Sequence, residues 1–393
     1  MARTPLNPTD ELDAVAVLDH LVRRAASIGA SDIHLEPKRD IIRVRFRIDG
    51  VLVNQGTLPL DLAPPLTTRV KVLARMDMTE RRLPQDGQFS LEMPGSGLVH
   101  LRASTFPAIH GETLVMRVLL GHSLIPLEKL GLEEESLDRI TRLATSPSGL
   151  IIVCGPTGSG KTSTLYSLLK VMNTAELSVV TLEDPIEVEL NDITQGQTNV
   201  RQGFTFAAGL RAILRQDPDV ILVGEMRDAE TAQIALQASL TGHLVLSTLH
   251  TSDAVETVTR LVDLGVEPWI VANSLLAVIG QRLVRVLCEA CAEKRPLPGE
   301  ITDEEGKVLL PAGVELKHPK GCPRCHQTGY RGRSGVFEVL EVDDDLRDLI
   351  KVRATKRAYR DQVRKLDMVP LREAALRRAR AGVTSLEEVL RVT

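Results

Sequence analysis

Apolar and polar residues alternate strictly from residue 42 to residue 48, where three arginines separate four apolar side chains. A period of two predicts a half-buried strand, because successive side chains of a strand point to opposite faces of its sheet. The pair Asp49-Gly50 follows at once and is a strong signal for a hairpin turn. The pattern therefore predicts an antiparallel hairpin early in the chain.

Helical patterns surround this hairpin. Apolar residues recur every three or four positions from 10 to 28, with Thr9 or Asp10 as the predicted N-cap and Gly29 at the C-terminal end. The mixture of helix and strand predicts a small α+β domain, followed by a linker at 121–131 that contains Gly, Ser and Pro. The other elements predicted for this domain are a helix at 66–76 and strands at 88–93, 99–105 and 113–119.

The pattern changes from residue 150 onward, where short uninterrupted apolar runs replace the alternation and helical patterns separate most of them. Such runs are typical of parallel strands whose sheet is covered by helices on both faces, so this part is predicted to be α/β. The runs lie at 150–154, 179–182, 220–223 and 244–246. Residues 384–391 are predicted to form a helix that opens with overlapping capping boxes, Thr384/Glu387 and Ser385/Glu388.

Composition narrows the class of protein. The 393 residues are 43% apolar and 25% charged, as in ordinary globular proteins, and no apolar run approaches the roughly 18 residues of a membrane span. The first twenty residues lack the pattern of a secretory signal, so a cytoplasmic location is predicted. A net charge of −4 and an aromatic content of 3% argue against a nucleic-acid binder with a basic groove and stacked bases.

Residues 155–162 read GPTGSGKT and match the phosphate-loop pattern G-x-x-x-x-G-K-[ST]. Glycines let backbone N–H groups turn toward phosphate oxygens, and the N-terminus of the following helix, predicted at 162–172, adds positive potential. Lys161 is predicted to neutralise the β- and γ-phosphates of ATP, and the Thr162 hydroxyl to bind Mg²⁺. The predicted nucleotide-binding residues are Gly155, Pro156, Thr157, Gly158, Ser159, Gly160, Lys161, Thr162 and Ser163.

Two groups of acids follow predicted strands. The run 220–223 leads to Glu225, where a carboxylate can orient and deprotonate the water that attacks the γ-phosphate. Glu183, Asp184 and Glu187 follow another strand, and one of them is predicted to hold the water shell of Mg²⁺. The alternative for this second cluster is a solvated turn before a proline.

His243 and His250 flank the predicted strand at 244–249. Both are candidates for sensing the γ-phosphate. Spacing alone equally permits two structural histidines, so these residues alone leave the choice open.

Four of the five cysteines form two C-x-x-C pairs, which we call the cysteine quartet: Cys288, Cys291, Cys322 and Cys325. Two such knuckles suit a tetrahedral Zn²⁺ held by four thiolates, and a closed site of this kind is structural. Free or redox-active cysteines are the alternative. The fifth, Cys154, lies in an apolar run and is predicted to be a small core residue.

With these residues in place, the chain resembles the type II secretion and type IV pilus assembly ATPases, the GspE/PulE/PilB family. The resemblance covers nearly the whole chain, and its most specific part is the stretch 210–225. The other segments that carry it are 31–37, 45–50, 83–87, 155–162, 183–187, 241–251 and 384–393.

The resemblance implies four parts: a PAS-like domain at 1–122, a RecA-like ATPase domain at 123–285, a tetracysteine zinc subdomain at 286–340 and a helical subdomain at 341–393. It also implies a homohexamer with ATP held between the first two domains, and it favours Glu225, His243 and His250 as site residues. Arginines are implied to reach the phosphates, although for each one a surface ion pair is the alternative. Motif by motif these are Arg102, Arg117, Arg211, Arg215, Arg227 and Arg260.

The predicted function is that of a Mg²⁺-dependent ATPase motor for type II protein secretion or type IV pilus assembly. Its implied partners are an inner-membrane platform and membrane-anchored cytoplasmic proteins, which would hold it at the membrane without a span of its own. Longer family members carry an additional N-terminal docking region, and here the first domain begins almost at once, so no particular docking partner is predicted. The alternatives are a RecA-like motor that translocates nucleic acid and a nucleotide-dependent switch.

Overall fold

The computed structural model describes residues 13–93, 97–119, 124–172, 174–302, 306–366 and 368–393. The chain forms two compact units, Met1–Ser123 and Leu124–Thr393. Within the described ranges, no helix has the length and apolar character that crossing a membrane requires. Residues 121–123 of the predicted linker lie outside these ranges. The division between the units falls within the predicted linker, but Leu127 and Leu130 are buried in a core of the second unit, so the linker does not extend to residue 131 as predicted.

The first unit is an α+β fold, as predicted. Its elements are α1 (Ala14–Ser27), β1 (Ala30–Pro37), β2 (Ile41–Ile48), β3 (Val51–Pro59), α2 (Ala63–Leu73), β4 (Gln85–Met93), β5 (Gly97–Ala108) and β6 (Gly111–Leu119). The strands form one antiparallel sheet in the order β3-β2-β1-β6-β5-β4. Leu18 and Leu66 from the helices pack with Phe46 and Met116 from the sheet in one core.

The two helices of this unit begin and end differently from the predictions. The predicted start of α1 at residue 10 lies outside the described residues; the described helix begins at Ala14, where Asp13 accepts a hydrogen bond from Val15 N at 3.2 Å. Gly29 follows its end with φ of +69°, as predicted. Helix α2 begins at Ala63, three residues before its predicted start, because proline is tolerated in the first turn, where its missing N–H would have no helical partner.

The second unit begins with α3 (Glu134–Ala144), β7 (Gly149–Cys154), α4 (Lys161–Val171), β8 (Val179–Glu183), β9 (Thr194–Gln197), α5 (Phe206–Ile213), β10 (Val220–Val223), α6 (Ala229–Leu240), β11 (Leu244–Leu249), α7 (Ala254–Asp263), α8 (Pro268–Ser274) and β12 (Leu275–Leu287). It continues with β13 (Glu293–Pro296), β14 (Ile301–Thr302), β15 (Val308–Leu310), β16 (Glu315–His318), β17 (Tyr330–Glu341), α9 (Asp344–Lys351), α10 (Lys356–Val363), α11 (Leu371–Arg380) and α12 (Leu386–Val392).

The main sheet of the second unit has the order β17-β12-β7-β11-β10-β8-β9. All neighbouring pairs are parallel except β12 with β17. Leu150 and Ile152 of β7 point into a core shared with α5 to α10, whereas Ile151 and Val153 point into a core shared with α3 and α4. Burial on both faces explains the uninterrupted apolar runs and confirms the predicted α/β sheet.

The cysteine quartet lies in a third region, where β12 and β17 extend from the main sheet toward α11 and α12. Val284 and Val336 of these strands pack with Leu371 and Val389 of the helices. Two short antiparallel ribbons, β13 with β16 and β14 with β15, complete the region. The finer division of this unit at 285/286 and 340/341 stays a prediction, and β12 and β17 continue across those positions.

A buried carboxylate fixes the last helix to β12. Ser385 is the N-cap of α12 and accepts from Glu388 N at 3.2 Å, but Thr384 donates to Arg285 O at 2.8 Å and caps nothing. The predicted capping boxes are therefore only half formed. The Glu388 side chain turns away from the cap and accepts hydrogen bonds from Arg285 Nη2 at 2.8 Å and from Arg391 Nη2 at 2.6 Å.

Glu388→Gln is expected to lower the free energy of unfolding of the second unit by about 3 kcal/mol, because it leaves a buried guanidinium without its counter-charge. Glu388 is completely buried and Arg285 retains 17% of its side-chain exposure. Denaturant unfolding followed by circular dichroism measures the change. The matched control is Glu387→Gln, whose neighbouring carboxylate is 59% exposed; equal losses in the two variants would contradict the role given to Glu388.

The same ion pairs make stability depend on acid pH. Burial alone would raise the pKa of Glu388, but hydrogen bonds from Arg391 and Arg285 outweigh burial and hold the pKa below its usual 4.5. A lowered folded-state pKa means that this contribution is fully present above the unfolded-state pKa, and it is lost as pH falls through the lowered value.

Candidate functional site

The phosphate-loop pattern forms a loop between β7 and α4. Helix α4 begins at Lys161, one residue before the predicted start, and Gly160 precedes it with φ of +91°, a conformation that glycine adopts without strain. Ser159 is buried, and its hydroxyl has no partner among the described residues. Thr162 and Ser163 are exposed at the mouth of the loop. The residues present thus fit a phosphate chain, with the Thr162 hydroxyl accessible to a bound cation.

Lys161 is held inside this loop. It is 8% exposed, and its Nζ donates to Gly155 O at 2.8 Å and to Pro156 O at 3.1 Å. Burial lowers the pKa of this ammonium group. Charged phosphate oxygens are stronger acceptors than these carbonyls, so the ammonium can exchange them for a phosphate without leaving the loop.

Glu225 lies beside the loop because neighbouring parallel strands end at the same edge of the sheet. It follows β10 by two residues, and β11 fixes the segment: Ser247 Oγ donates to Val223 O at 2.7 Å and Thr248 Oγ1 to Gly224 O at 2.8 Å. The Glu225 side chain retains 14% exposure and pairs with Arg227 Nη2 at 2.5 Å. The sheet thus presents a fixed, partly buried carboxylate at its carboxyl edge.

His250 connects Lys161 to Glu225. Its Nδ1 lies 3.5 Å from Lys161 Nζ, and its Nε2 lies 3.3 Å from Glu225 Oε2. His243, in contrast, stands before the first residue of β11, roughly 20 Å away along the strand. There its Nδ1 lies 2.9 Å from Ala238 O. Lys161, His250 and Glu225 therefore form a line of neighbouring side chains at the carboxyl edge of the sheet, which we call the row. His243 lies at the opposite edge of the sheet.

The second acid cluster is divided. Glu183 ends β8 with 3% exposure, and its carboxylate accepts from Tyr166 OH, from Thr181 Oγ1 at 2.6 Å and from Gln195 Nε2 at 3.2 Å. Burial and the contact with Glu183 raise the pKa of Tyr166. Glu187 is exposed in the following turn. Glu183 is thus committed to three protein donors, and its predicted role near Mg²⁺ stays a prediction.

The arginines of the second unit differ in what they contact. Arg211 pairs with Glu230 at 2.7 Å, and both side chains are more than half exposed. Arg215 donates to Arg211 O at 2.7 Å, and Arg260 is exposed on α7. Of these four candidates, Arg227 is the one that the described residues place against Glu225, and this hydrogen bond raises the pKa of Arg227.

The two arginines of the first unit form a cross-strand pair. Arg102 of β5 lies directly opposite Arg117 of β6, and like charges in this relation repel each other. Asp32 accepts from Arg117 Nε at 3.1 Å, and the Arg117 side chain is 59% exposed. Such a pair can bind an anion.

Two residues at the loop carry no sequence motif. Gln281, 2% exposed in β12, accepts from Thr164 Oγ1 at 2.9 Å. Arg282 donates to Ser252 O at 2.6 Å, beside the segment that contains His250. The one signal for Gln281 was an amide that directly follows the apolar run 275–280.

The cysteine quartet has the geometry of a tetrahedral metal site. Its four Sγ atoms lie within 4.8 Å of one another, and the distances are 3.9 Å for Cys288–Cys322, 3.8 Å for Cys291–Cys325 and 3.7 Å for Cys322–Cys325. Four sulfurs at a Zn–S distance of about 2.3 Å stand about 3.8 Å apart. Burial of Cys325 raises its pKa, but backbone hydrogen bonds from Cys322 and Gly329 outweigh burial and lower it to about 7. The donor set fits Zn²⁺.

The chain is similar to several named proteins. A family model described as type II/IV secretion system protein matches residues 9–391. The type II secretion system ATPase E of Vibrio cholerae is 47% identical over 392 residues, covering 99% of this chain and 77% of that protein. The type IV pilus assembly ATPase TfpB of Acinetobacter baylyi is 44% identical, covering 96% of this chain and 65% of that protein. The crystal structure of the pilus retraction motor PilT with bound ADP aligns with a TM-score of 0.61 and 26% identity, covering 96% of each chain.

Proposed function

The chain belongs to the type II/IV secretion system protein family and is a secretion or pilus motor ATPase, and from this premise we propose that it works as a Mg²⁺-dependent hexamer on an inner-membrane platform. The observation that carries the proposal is the row formed by Lys161, His250 and Glu225 at the carboxyl edge of the sheet. A phosphate-binding ammonium and a carboxylate lie there on either side of one imidazole. Hydrolysis of a terminal phosphate needs both groups close together.

Within this row each side chain has its own task. The loop N–H groups and Lys161 bind the phosphates, and the Thr162 hydroxyl takes a place in the Mg²⁺ shell. Glu225 accepts the proton of the attacking water. His250, in contact with both, responds to the presence of the terminal phosphate. Mg²⁺, when bound, neutralises charge on the β- and γ-phosphates.

Arginines supply the remaining positive charge that the phosphates of ATP require. We assign Arg227 to the neighbourhood of Glu225 and Arg102 with Arg117 to an anion-binding face of the first unit, where their repulsion is relieved by a phosphate group. Arg211, Arg215 and Arg260 are exposed and suit contacts with the nucleotide of an adjacent subunit. The assignment of Glu183, Glu187 and His243 as site residues rests on the sequence alone, and His243 lies at the opposite edge of the sheet from Glu225.

The cysteine quartet is proposed to bind one structural Zn²⁺. Four thiolates fill a tetrahedral shell and leave no position open for chemistry. The metal would fix the loops on either side of β13 to β16, in a region whose apolar core is small. Its role is stability of this region rather than hydrolysis.

The partners follow from the relatives. The curated relatives are named for type II secretion and for type IV pilus assembly, and we propose a cytoplasmic motor that docks onto the inner membrane through platform proteins of one of these systems. Relatives from the two systems match this chain at similar identities, 47% and 44%, so secretion and pilus extension stay equal candidates.

Turnover per chain is expected to require Mg²⁺ and to rise at least about tenfold as protein concentration crosses the range of ring assembly, if sites are completed between subunits. ATP hydrolysis and light scattering, measured together over that range, test this. Turnover independent of assembly would contradict the hexamer, and absence of turnover at every concentration would favour a nucleotide-dependent switch.

The alternative is a motor that translocates nucleic acid. The net charge of −4 and the single tryptophan weigh against it. The same assay decides the matter when single- and double-stranded DNA or RNA is added. Strong stimulation by any of them would replace the secretion proposal while leaving the fold unchanged.

A further inference from the structure

Gln281 is a buried polar residue in the strand next to the phosphate loop. Strand β12 pairs in parallel with β7, and the last aligned pair is Gly280 with Cys154. Gln281 therefore stands beside Gly155, the first residue of the loop. Its side chain is 2% exposed, and buried amides are retained where they have hydrogen-bond partners.

Gln281 lies against the first and last glycines of the loop and forms a hydrogen bond with the helix that follows. The backbone carbonyl oxygen of Gln281 lies so close to Gly155 that a Cβ there would approach it to 2.5 Å, and the side-chain Nε2 lies so close to Gly160 that a Cβ there would approach it to 2.9 Å. Its Oε1 accepts from Thr164 Oγ1 at 2.9 Å, within the first turn of α4. Gln281 thus contacts the beginning of the loop, its end and the helix that follows.

We infer that Gln281 is a positioning residue that, with Thr164, holds the phosphate loop in its nucleotide-binding shape. The loop must keep its N–H groups convergent, and glycines make it otherwise free to adopt other conformations. A loop already held in place loses less entropy when a phosphate chain binds. The inference rests on the proposed nucleotide site and adds a residue that no phosphate-loop pattern contains.

Thr164 indicates why the amide matters. A helical threonine hydroxyl commonly donates to the carbonyl four residues earlier, which here belongs to Gly160, the residue that ends the loop. That carbonyl already accepts from Thr164 N at 3.1 Å. The Thr164 hydroxyl donates to Gln281 instead of to Gly160 O. The Gly160 carbonyl is therefore oriented by its helical hydrogen bond with Thr164 N.

The experiment uses the full chain and compares Gln281→Leu, Thr164→Val and the double variant, with Thr164→Ser as the conservative replacement. Affinity for a fluorescent ATP analogue, KM, kcat and the thermal midpoint without nucleotide are measured for each. Ser239→Ala is the matched control, because Ser239 is a buried hydroxyl on α6 that donates only to Leu236 O, at 2.7 Å. Lys161→Ala tests the nucleotide site itself.

Each single variant is expected to raise Kd and KM for ATP about tenfold, because ATP must then order a loop that has lost a holding interaction of about one buried hydrogen bond, with a much smaller change in kcat. The double variant should be no worse than either single variant, since both remove one interaction. Thr164→Ser should bind like the wild type, and Ser239→Ala should lower the thermal midpoint without changing Kd.

Two results overturn the inference alone: Kd within twofold of the wild type in Gln281→Leu and Thr164→Val while Lys161→Ala loses binding, or losses of affinity that add in the double variant. Wild-type affinity in Lys161→Ala, or no binding by the wild type, overturns the proposed nucleotide site and this inference with it. If Gln281→Leu does not fold, the Kd values of Thr164→Val and Thr164→Ser test the inference by themselves: equal values overturn it.

Discussion

Glu225→Gln is expected to bind ATP with wild-type affinity and to hydrolyse it at least about 100-fold more slowly, the usual share of a general base. The amide keeps the size of the carboxylate and one oxygen, but it cannot take a proton from water at neutral pH. Glu225 is linked to Lys161 through His250, and the substitution leaves the loop N–H groups and the lysine in place to bind phosphate.

The control for this variant is Glu135→Gln. Glu135 pairs with Arg139 on α3 and is 69% exposed, so it loses the same charge without touching the row. ATP affinity from equilibrium titration and turnover from phosphate release are measured side by side. Normal turnover in Glu225→Gln would remove this residue from the reaction, whereas an equal loss of affinity and turnover would assign it to assembly of the loop.

Loss of the metal is expected to have the second large effect. Fresh wild-type protein should contain one Zn²⁺ per chain, and Cys322→Ser should contain almost none, because a structural tetrathiolate site contributes on the order of 10 kcal/mol of binding free energy that a hydroxyl does not replace. The region around Val284 and Leu371 should then unfold at a lower temperature than the sheet. Elemental analysis and thermal unfolding, each with and without chelator, measure the two effects.

Cys154→Ala is the matched control for this prediction. Cys154 is buried in β7, far from the quartet in sequence, and burial raises the pKa of its thiol to about 11. It should keep a full complement of zinc. Zinc far below one per chain in fresh wild-type protein, or equal zinc in Cys322→Ser, would count against the site.

Local patterns determined much of the fold because they reflect burial directly. Alternation predicted β2, and continuous apolar runs predicted β7, β8, β10 and β11, since strands covered on one face and on both faces differ in this way. Element ends were less certain. Helix α2 begins three residues before its predicted start because two prolines fit a first helical turn. The predicted capping box at Ser385 is only half formed because Arg285 and Arg391 occupy the Glu388 carboxylate.

The sequence by itself also determined the parts of the site that are contiguous in the chain. A phosphate loop is one short segment whose glycines and lysine act together, so its pattern is complete without a fold. The cysteine quartet was likewise predictable from the sequence, because two C-x-x-C pairs supply the four thiolates of a tetrahedral zinc site.

Only the tertiary structure decided which distant residues meet. His243 and His250 look equivalent in the sequence, but a strand separates them, and only the residue at its carboxyl end reaches Lys161. Gln281 lies 120 residues beyond Lys161, and parallel pairing of β12 with β7 alone brings it to the loop. The physical reason is that strand order and register place residues beside one another regardless of their separation in the chain, and no local pattern records that order.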